Sequence, residues 1–431
     1  MSYRTLTVRE FARLTTSAVP TTLDQAQVTD ADFEWLCEIS ARMRTQSGAH
    51  ILHIDGRRWL RLDNYVGVLE SPGGLRVEIL PKHVERIDSQ TVRCARVLLR
   101  RMLEASMNLT PREGGEAALD QFDHPLTEWV MRQFLLALEY VVKRGMRSDY
   151  LRVEEEQRYL RGQLDMAKQA RASPARADIF NIRHDVFSID RAENRLLKSA
   201  LQRVSKSSRD ADNWRLANEL LHILKEVPTS QNVQADFRSW STDRLITHYL
   251  RVRPWCQIVL GDQMPLALAG EAQGISLLFP MEKLFERYVG RALRVSLPVG
   301  YRLTEQASRH WLCDHENAGI FRLEPDFLIE GPDFATVVDA KWKLLDGADR
   351  TNNYGLRQAD FYQLYAYGQK YIGESGELTL IYPRTGRFET ALEPFYFAPG
   401  LRLHVLPFDL NAENLHGPNH LAPGVGLPSS F

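Results

Sequence analysis

The sequence has only four cysteines, Cys37, Cys94, Cys256 and Cys313, and no two of them form a CxxC pair. That excludes a disulfide scaffold and a zinc ribbon as the organising principle. The tightest group of soft ligands, His310-Trp-Leu-Cys313-Asp-His315, has no second ligand pair nearby, whereas a structural zinc needs four ligands. Unpaired thiols fit a reducing compartment. There is no long apolar run either. The stretch most like one, Trp129 to Val142, carries Arg132, Gln133 and Glu139 and is too short and too polar to cross a bilayer. The start, Met1-Ser-Tyr-Arg-Thr, lacks the apolar core of a signal peptide. The expectation is a cytoplasmic protein with no membrane partner. A GxxxxGK[ST] loop is also missing, so any nucleotide-driven step needs a second chain. Finally, neither charge sign dominates. With 54 Lys+Arg against 55 Asp+Glu, the net charge of -1 excludes a strongly basic protein that coats nucleic acid.

What is present is a chain of 431 residues of ordinary globular composition, enough for two or three domains. No internal repeat is found. The predicted fold class is α/β (α+β). Residues 1–120 read as a mixed α/β region. Strands over 50–55 and 58–62 flank Asp55-Gly56. Strands over 65–70 and 75–80 flank the turn signal Ser71-Pro-Gly-Gly74, which predicts a hairpin. A helix follows over 92–107, then a loop over 108–120. Residues 121–275 read as mainly helical, with helices over 126–147, 191–206, 214–227 and 243–260, and Pro254 expected to kink or end the last. Residues 150–165 are ambiguous, with a strand expected near Tyr159-Leu160. Residues 168–178 read as an exposed loop, and a small-residue loop over 261–274 marks the main boundary. From 276 to 431 the pattern is a strong helix over 279–297, strands over 301–306, 320–323, 326–330 and 335–341, a second helix over 356–372, and further strands. The end from His416 is rich in Pro and Gly.

The chemistry concentrates in Glu324-Pro-Asp326-Phe-Leu-Ile-Glu-Gly-Pro-Asp-Phe-Ala-Thr-Val-Val-Asp339-Ala-Lys341. This reads as two strands joined by a turn at Gly331-Pro332-Asp333. Residues two apart on a strand point the same way, so Asp339 and Lys341 project together. The antiparallel return brings Asp326 beside them. Two carboxylates and an ammonium at one end of a sheet suit metal-assisted phosphodiester hydrolysis. Mg²⁺ prefers carboxylate oxygens and retains waters; it polarises a phosphate and lowers the pKa of a bound water. Lys341 would orient that water or stabilise charge in the transition state. Mn²⁺ would be able to replace Mg²⁺. A surface hairpin with charged strand ends would show the same spacing. On the second helix, Asp360, Gln363 and Tyr367 share one face, which either looks into the site or belongs to an ordinary amphipathic helix. On the first, Glu282 and Glu286 lie at i, i+4. One could add a third carboxylate, or Glu286 could pair with Lys283 on a solvated face.

These residues resemble a known family. Pro325-Asp326 followed by Asp339-Ala-Lys341 is similar to the PD-(D/E)xK nuclease superfamily, and Gln363-Leu-Tyr-Ala-Tyr367 to the QxxxY motif of its RecB-like branch. More narrowly, the chain resembles the McrC family, the nuclease subunits of McrBC modification-dependent restriction systems. The segments that carry this are Phe279-Pro-Met-Glu-Lys-Leu-Phe-Glu286-Arg-Tyr-Val, Pro325-Asp-Phe-Leu-Ile, Asp339-Ala-Lys-Trp-Lys343 and Asp360-Phe-Tyr-Gln-Leu-Tyr-Ala-Tyr367. Val77-Glu-Ile-Leu-Pro-Lys-His83, Leu160-Arg-Gly162 and Asp190-Arg-Ala-Glu-Asn194 match more loosely. The resemblance implies a nuclease domain over 276–431, with a restriction-endonuclease-like mixed central sheet flanked by helices. Asp326, Asp339 and Lys341 would be catalytic, assisted by Gln363 and Tyr367. Asp326, Asp339 and Glu286 would hold the metal. It also implies that the region before residue 120 docks on a ring of McrB-like AAA+ GTPase subunits and stimulates them. The substrate would be double-stranded DNA carrying modified cytosine, an antiviral defence activity.

The charge distribution fits an enzyme that needs such a partner. Residues 276–431 hold 15 Lys+Arg against 19 Asp+Glu, a balance of -4, which leaves +3 for residues 1–275. DNA affinity depends on neutralising phosphates, so an acidic nuclease domain binds DNA poorly alone unless a local basic patch serves it. Two other readings compete: a standalone PD-(D/E)xK repair or transposition nuclease, and a non-catalytic subunit that only activates an NTPase.

Overall fold

A computed structural model describes residues 4–47, 51–107, 126–261, 268–269 and 276–415, apart from positions 57, 72, 87, 174, 175, 177, 242, 333 and 399. The loop expected over 108–120, most of that over 261–274 and the tail from His416 lie outside these residues. The chain forms two compact units, 1–125 with 278–431, and 126–277. The first and third stretches distinguished in the sequence therefore share one unit.

Within that unit, Tyr65–Glu70 and Leu75–Leu80 pair antiparallel as the turn signal predicts. Ser71 accepts the Gly74 N–H at 3.0 Å, and Gly74 adopts φ 90°, a conformation that glycine reaches without strain. Arg4–Arg9 adds parallel to Leu75–Leu80, and Leu277–Pro280 lies on the other side of Tyr65–Glu70. A second sheet runs in the order Gln25–Gln27, Arg13–Thr15, Trp59–Leu62, Leu52–Ile54. The helix Ser89–Ser106 is capped by Asp88, whose side chain accepts the Thr91 N–H.

The strand Leu277–Pro280 runs straight into helix α1 (Met281–Ser296). Besides a separate hairpin of His310–His315 and Ala318–Leu323, the main elements that follow are β1 (Arg302–Glu305), β2 (Phe327–Glu330), β3 (Ala335–Ala340), helix α2 (Gln358–Tyr371), β4 (Gly376–Pro383), β5 (Phe395–Ala398) and β6 (Leu401–Asp409). They build a mixed sheet in the order β1-β2-β3-β4-β6-β5. β1, β2 and β3 are antiparallel, while β3-β4 and β4-β6 are parallel. A parallel pair needs a crossover, and α2 provides the one between β3 and β4. On one face Leu328, Val337, Leu378, Leu380, Leu403 and Val405 pack against Leu364 and Tyr367 of α2. On the other, Phe285 and Tyr288 of α1 stand edge-on to Phe408 of β6. Covered on both faces, β4 is buried from Leu378 to Pro383 and reads as a nearly continuous apolar run.

The second unit packs the helices Leu126–Arg144, Ala192–Ser207, Ala211–Ile223, Val233–Arg238 and Arg253–Leu260 around Phe134, Leu138, Leu197, Leu201 and Trp255. Beside them lies a three-stranded sheet of Asp149–Gln157, Phe180–Ser188 and Gln163–Leu164. Three local expectations need correction. The strand of the ambiguous segment ends at Gln157, and Tyr159-Leu160 sit exposed beyond it. The partner strand Phe180–Ser188 was not expected. The single helix over 243–260 is instead a 3₁₀ segment, Arg244–Arg251, followed by an α-helix whose first turn contains Pro254. Proline fits there because a first-turn N–H has no partner to lose. No described helix is long and apolar enough to cross a membrane.

Candidate active site

The hairpin of β2 and β3 pairs Phe327 with Val338 and Leu328 with Val337. The same register carried one step further sets Asp326 against Asp339. The Ala340 N–H closes this end by donating to Asp326 Oδ2 at 2.9 Å. Asp339 is 1% exposed. Lys341, just past β3, keeps its strand position by donating its N–H to Ile381 O of β4 at 2.9 Å. Its Nζ lies 2.6 Å from Asp339 Oδ2 as an ion pair. The turn residue Asp333 lies outside the described residues.

Helix α2 supplies the next layer. Gln363 Oε1 accepts from Lys341 Nζ at 3.3 Å, and Gln363 Nε2 donates to the Tyr367 hydroxyl at 2.7 Å. That hydroxyl in turn donates to Glu324 O at 3.2 Å. A chain of polar contacts therefore runs from Asp339 through Lys341 and Gln363 to Tyr367, and returns to the segment leading into Asp326. The i, i+4 spacing of Gln363 and Tyr367 makes their contact local. Leu364 turns into the core between them.

Glu286 reaches the same region from α1, 8% exposed. Its Oε1 accepts from Gln306 Nε2 at 3.0 Å and its Oε2 pairs with Lys283 at 2.7 Å. Gln306 also donates its backbone N–H to Asp326 O at 2.9 Å, so it ties Glu286 to the Asp326 segment. Glu286 pairs with Lys283 as one reading has it, but on a buried rather than a solvated face, and its charge is felt at Asp326. Glu282 is not among these contacts.

The electrostatics follow from the crowding. Burial above all, then the charges of Asp339 and Glu286, pushes the Asp326 carboxyl up to about 8, against the opposing pull of the Ala340 N–H and Lys341. Burial also raises Asp339, with Lys341 opposing. Burial draws the Lys341 ammonium down, but Asp339, then Asp326 and Asp360, outweigh it and hold it above its ordinary value. Two neighbouring carboxyls, one buried and one half-buried, resist ionising together, and a cation between such a pair removes that resistance. Among the described residues no three His, Cys, Asp or Glu side chains converge as a ready-made metal cage. Mg²⁺ does not require one, since one or two carboxylates, waters and a substrate phosphate complete its shell. The carboxylate oxygens of Asp326 and Asp339 are the hard donors such a shell uses, although Asp339 Oδ2 is paired with the Lys341 ammonium.

Sequence reasoning missed Gln306, which works from φ 46° and has no motif to mark it. It also missed Tyr382 of β4, whose hydroxyl donates to Asp360 Oδ2 at 3.5 Å. The two-residue alternation that pairs Asp339 with Lys341 would place Tyr382 on the inward face of β4 once the β3-β4 register is known. Trp342 was noticed only as part of a motif.

The chain matches a family model described as McrBC 5-methylcytosine restriction system component over residues 60–383. No curated protein matches its sequence. The solved structures similar in fold include two from one organism. One is a chain of the refined half-complex from the tetradecameric assembly of Thermococcus gammatolerans McrB AAA+ hexamers with bound McrC. It is 17% identical with a TM-score of 0.67, and the match covers 94% of each chain. The other is a chain of the cryo-EM structure of the Thermococcus gammatolerans McrBC complex. It is 19% identical with a TM-score of 0.52, covering 68% of this chain and 88% of that one.

Proposed function

The chain belongs to the McrBC family of restriction-system components, and on that premise we propose that it is the DNA-cleaving subunit of such a system. It is a Mg²⁺-dependent endodeoxyribonuclease that docks on an McrB-like AAA+ GTPase ring, stimulates it, and cuts double-stranded DNA carrying modified cytosine in the cytoplasm. One observation carries this reading. Asp326, Asp339 and Lys341 meet at one end of a buried sheet, with Gln363 and Tyr367 fixing the lysine. The similar fold of chains from McrB–McrC assemblies supports the partner.

Asp326 and Asp339 would hold the cation, and Glu286 would act from outside that pair, through Gln306. When bound, the cation supplies Lewis acidity toward the phosphate and a water of lowered pKa. Asp339 holds Lys341 by its charge. Gln363 holds the lysine from the other side, so the ammonium is pre-set beside the place where charge develops on the phosphate. Tyr367 fixes which way the Gln363 amide faces, since its hydroxyl takes the Nε2 hydrogen and leaves Oε1 for the lysine. Glu286, held by Lys283 and Gln306, sets a third carboxyl group beside the segment that carries Asp326.

The test is a calorimetric Mn²⁺ titration of the full chain, wild type against Asp326→Ala and Asp339→Ala, together with cleavage of a 5-methylcytosine-bearing plasmid. Mn²⁺ binds such sites more tightly than Mg²⁺. Binding lost in both variants, and cleavage only with the GTPase partner and GTP, is the expected result. Strong cleavage by the chain alone would favour a standalone nuclease. Undiminished cleavage by Asp339→Ala complexes would make the chain a non-catalytic activator.

A further inference from the structure

The residue after Lys341 is gripped from a distant part of the chain. Glu10 follows the strand Arg4–Arg9, and Lys82 lies two residues past Leu75–Leu80. Parallel pairing of Arg9 with Leu80 sets the two side by side. The Glu10 N–H donates to Leu80 O at 3.0 Å, and the Lys82 N–H donates to Glu10 Oε2 at 2.8 Å. The Trp342 indole N–H donates to Glu10 Oε2 at 2.9 Å and Oε1 at 3.2 Å. Lys82 Nζ donates to Trp342 O at 2.7 Å. The imidazole of His83 stands edge-on to the indole at 5.8 Å and 89°, and Phe285 of α1 tilts against it at 5.3 Å. Both polar ends of Trp342 are thus held by residues of the N-terminal sheet.

This grip is stronger than anchoring requires. Glu10 is 2% exposed and Trp342 3%. Burying a carboxyl group beside a half-buried ammonium is costly, and apolar residues of similar volume would hold the surfaces together at least as well. What the polar pair adds is direction. Hydrogen bonds to the indole N–H and the carbonyl of one residue leave its backbone little freedom. Lys341, immediately before it, is fixed to β4 on its other side. Its Nζ must meet Asp339 and Gln363 at the same time, so a shift at Trp342 is passed on to the ammonium.

We propose that Glu10 and Lys82 are positioning residues of the nuclease centre, acting through Trp342 to place Lys341. The inference rests on the nuclease reading above. Through this contact the N-terminal sheet shapes the active site directly.

The test uses the full chain assembled with its GTPase partner, GTP, Mg²⁺ and a 5-methylcytosine-bearing plasmid, comparing wild type, Glu10→Ala, Glu10→Gln and Trp342→Phe. Loss of a supporting contact of this kind lowers activity about 10–100-fold. The expected result is a fall of that size in kcat for Glu10→Ala and Trp342→Phe, with KM for DNA and Mn²⁺ affinity within about twofold of wild type. Glu10→Gln keeps an oxygen for the indole N–H and recovers most of the rate. Wild-type kcat in folded Glu10→Ala and Trp342→Phe overturns the proposal. So does a parallel loss of Mn²⁺ affinity and thermal stability, which marks a merely structural contact. Should Glu10→Ala fail to fold, Trp342→Phe decides alone. A wild-type complex that does not cleave, or an Asp339→Ala complex that does, sinks the nuclease reading itself and this inference with it.

Discussion

Asp339 and Lys341 stand two residues apart at the end of one strand and meet at their tips, Nζ 2.6 Å from Oδ2. The carboxylate is buried and the lysine partly exposed, so the pair is anchored on one side and open on the other. That asymmetry suits a site that holds its charges in place and still admits a phosphate.

Asp326→Asn replaces a partly buried carboxyl with a neutral group of the same shape. The amide oxygen can still accept the Ala340 N–H. On the proposed reading, in which Asp326 holds the cation, cleavage should fall by at least roughly a hundredfold, since a lost metal ligand costs more than a lost supporting contact. In metal-free buffer the Tm should stay level or rise, because sites tuned for chemistry give up stability. Melting curves with and without Mn²⁺ check this. A Tm several degrees lower without metal would mark the carboxylate as structural.

Tyr367→Phe removes the hydroxyl between Gln363 Nε2 and Glu324 O. The stability cost should be on the order of 1 kcal/mol, measured by urea unfolding. The kinetic effect should be larger, about tenfold in kcat, because Gln363 is then free to turn its amide away from Lys341. Unchanged kcat would show that the amide is held by something else.

A Cβ added at Gly290 of α1 would come 2.7 Å from Cε1 of Phe327, the residue after Asp326. Gly290→Ala should therefore push the helix off β2 and cost about 1–3 kcal/mol, as overpacked cores do, despite the better helix propensity of alanine. A variant as stable as wild type in urea would show that Phe327 can move aside.

Burial pushes Glu10 from 4.5 up to about 7. Between those values the native state keeps a proton that the unfolded chain has lost, so the contribution of Glu10 to stability is present below about pH 4.5 and is lost as pH rises toward 7. Glutamine has no such loss. The difference in Tm, Glu10→Gln minus wild type, should become more positive across that window in metal-free buffer. A flat or falling difference would place Glu10 ionised throughout.

In the second unit, Asn194 is fully buried. It donates to Arg147 O and Ile189 O at 2.8 Å each and accepts the Tyr249 hydroxyl at 2.8 Å. Asn194→Ala leaves the Arg147 and Ile189 carbonyls and the buried Tyr249 hydroxyl without this partner and should cost on the order of 1–3 kcal/mol in urea unfolding. A loss under 1 kcal/mol would mean that water replaces the amide.

The hairpin bearing Asp326, Asp339 and Lys341 was legible because a turn signal, a two-residue period and the charges all lie within sixteen consecutive residues. Helix α2 was legible from its 3.6-residue stripe. The strand Asp149–Gln157 was not: Val-Glu-Glu-Glu-Gln has no apolar alternation, and its partner Phe180–Ser188 supplies the ladder from farther along the chain. Gln306 depends on a backbone twist that no residue type announces. The contact between Glu10 and Trp342 spans 332 residues, and no local pattern reaches that far.

The unit holding the candidate site is interrupted in sequence, and this bears on how the protein is made. Its first 125 residues leave the ribosome ahead of the 152-residue second unit, Leu126–Leu277. At about 5–20 residues per second, roughly 8–30 s pass before the rest of the first unit emerges. During that interval Tyr65–Glu70 lacks its neighbour Leu277–Pro280 and presents an open strand edge. The nascent chain therefore carries that edge unpaired for as long as the second unit takes to be made.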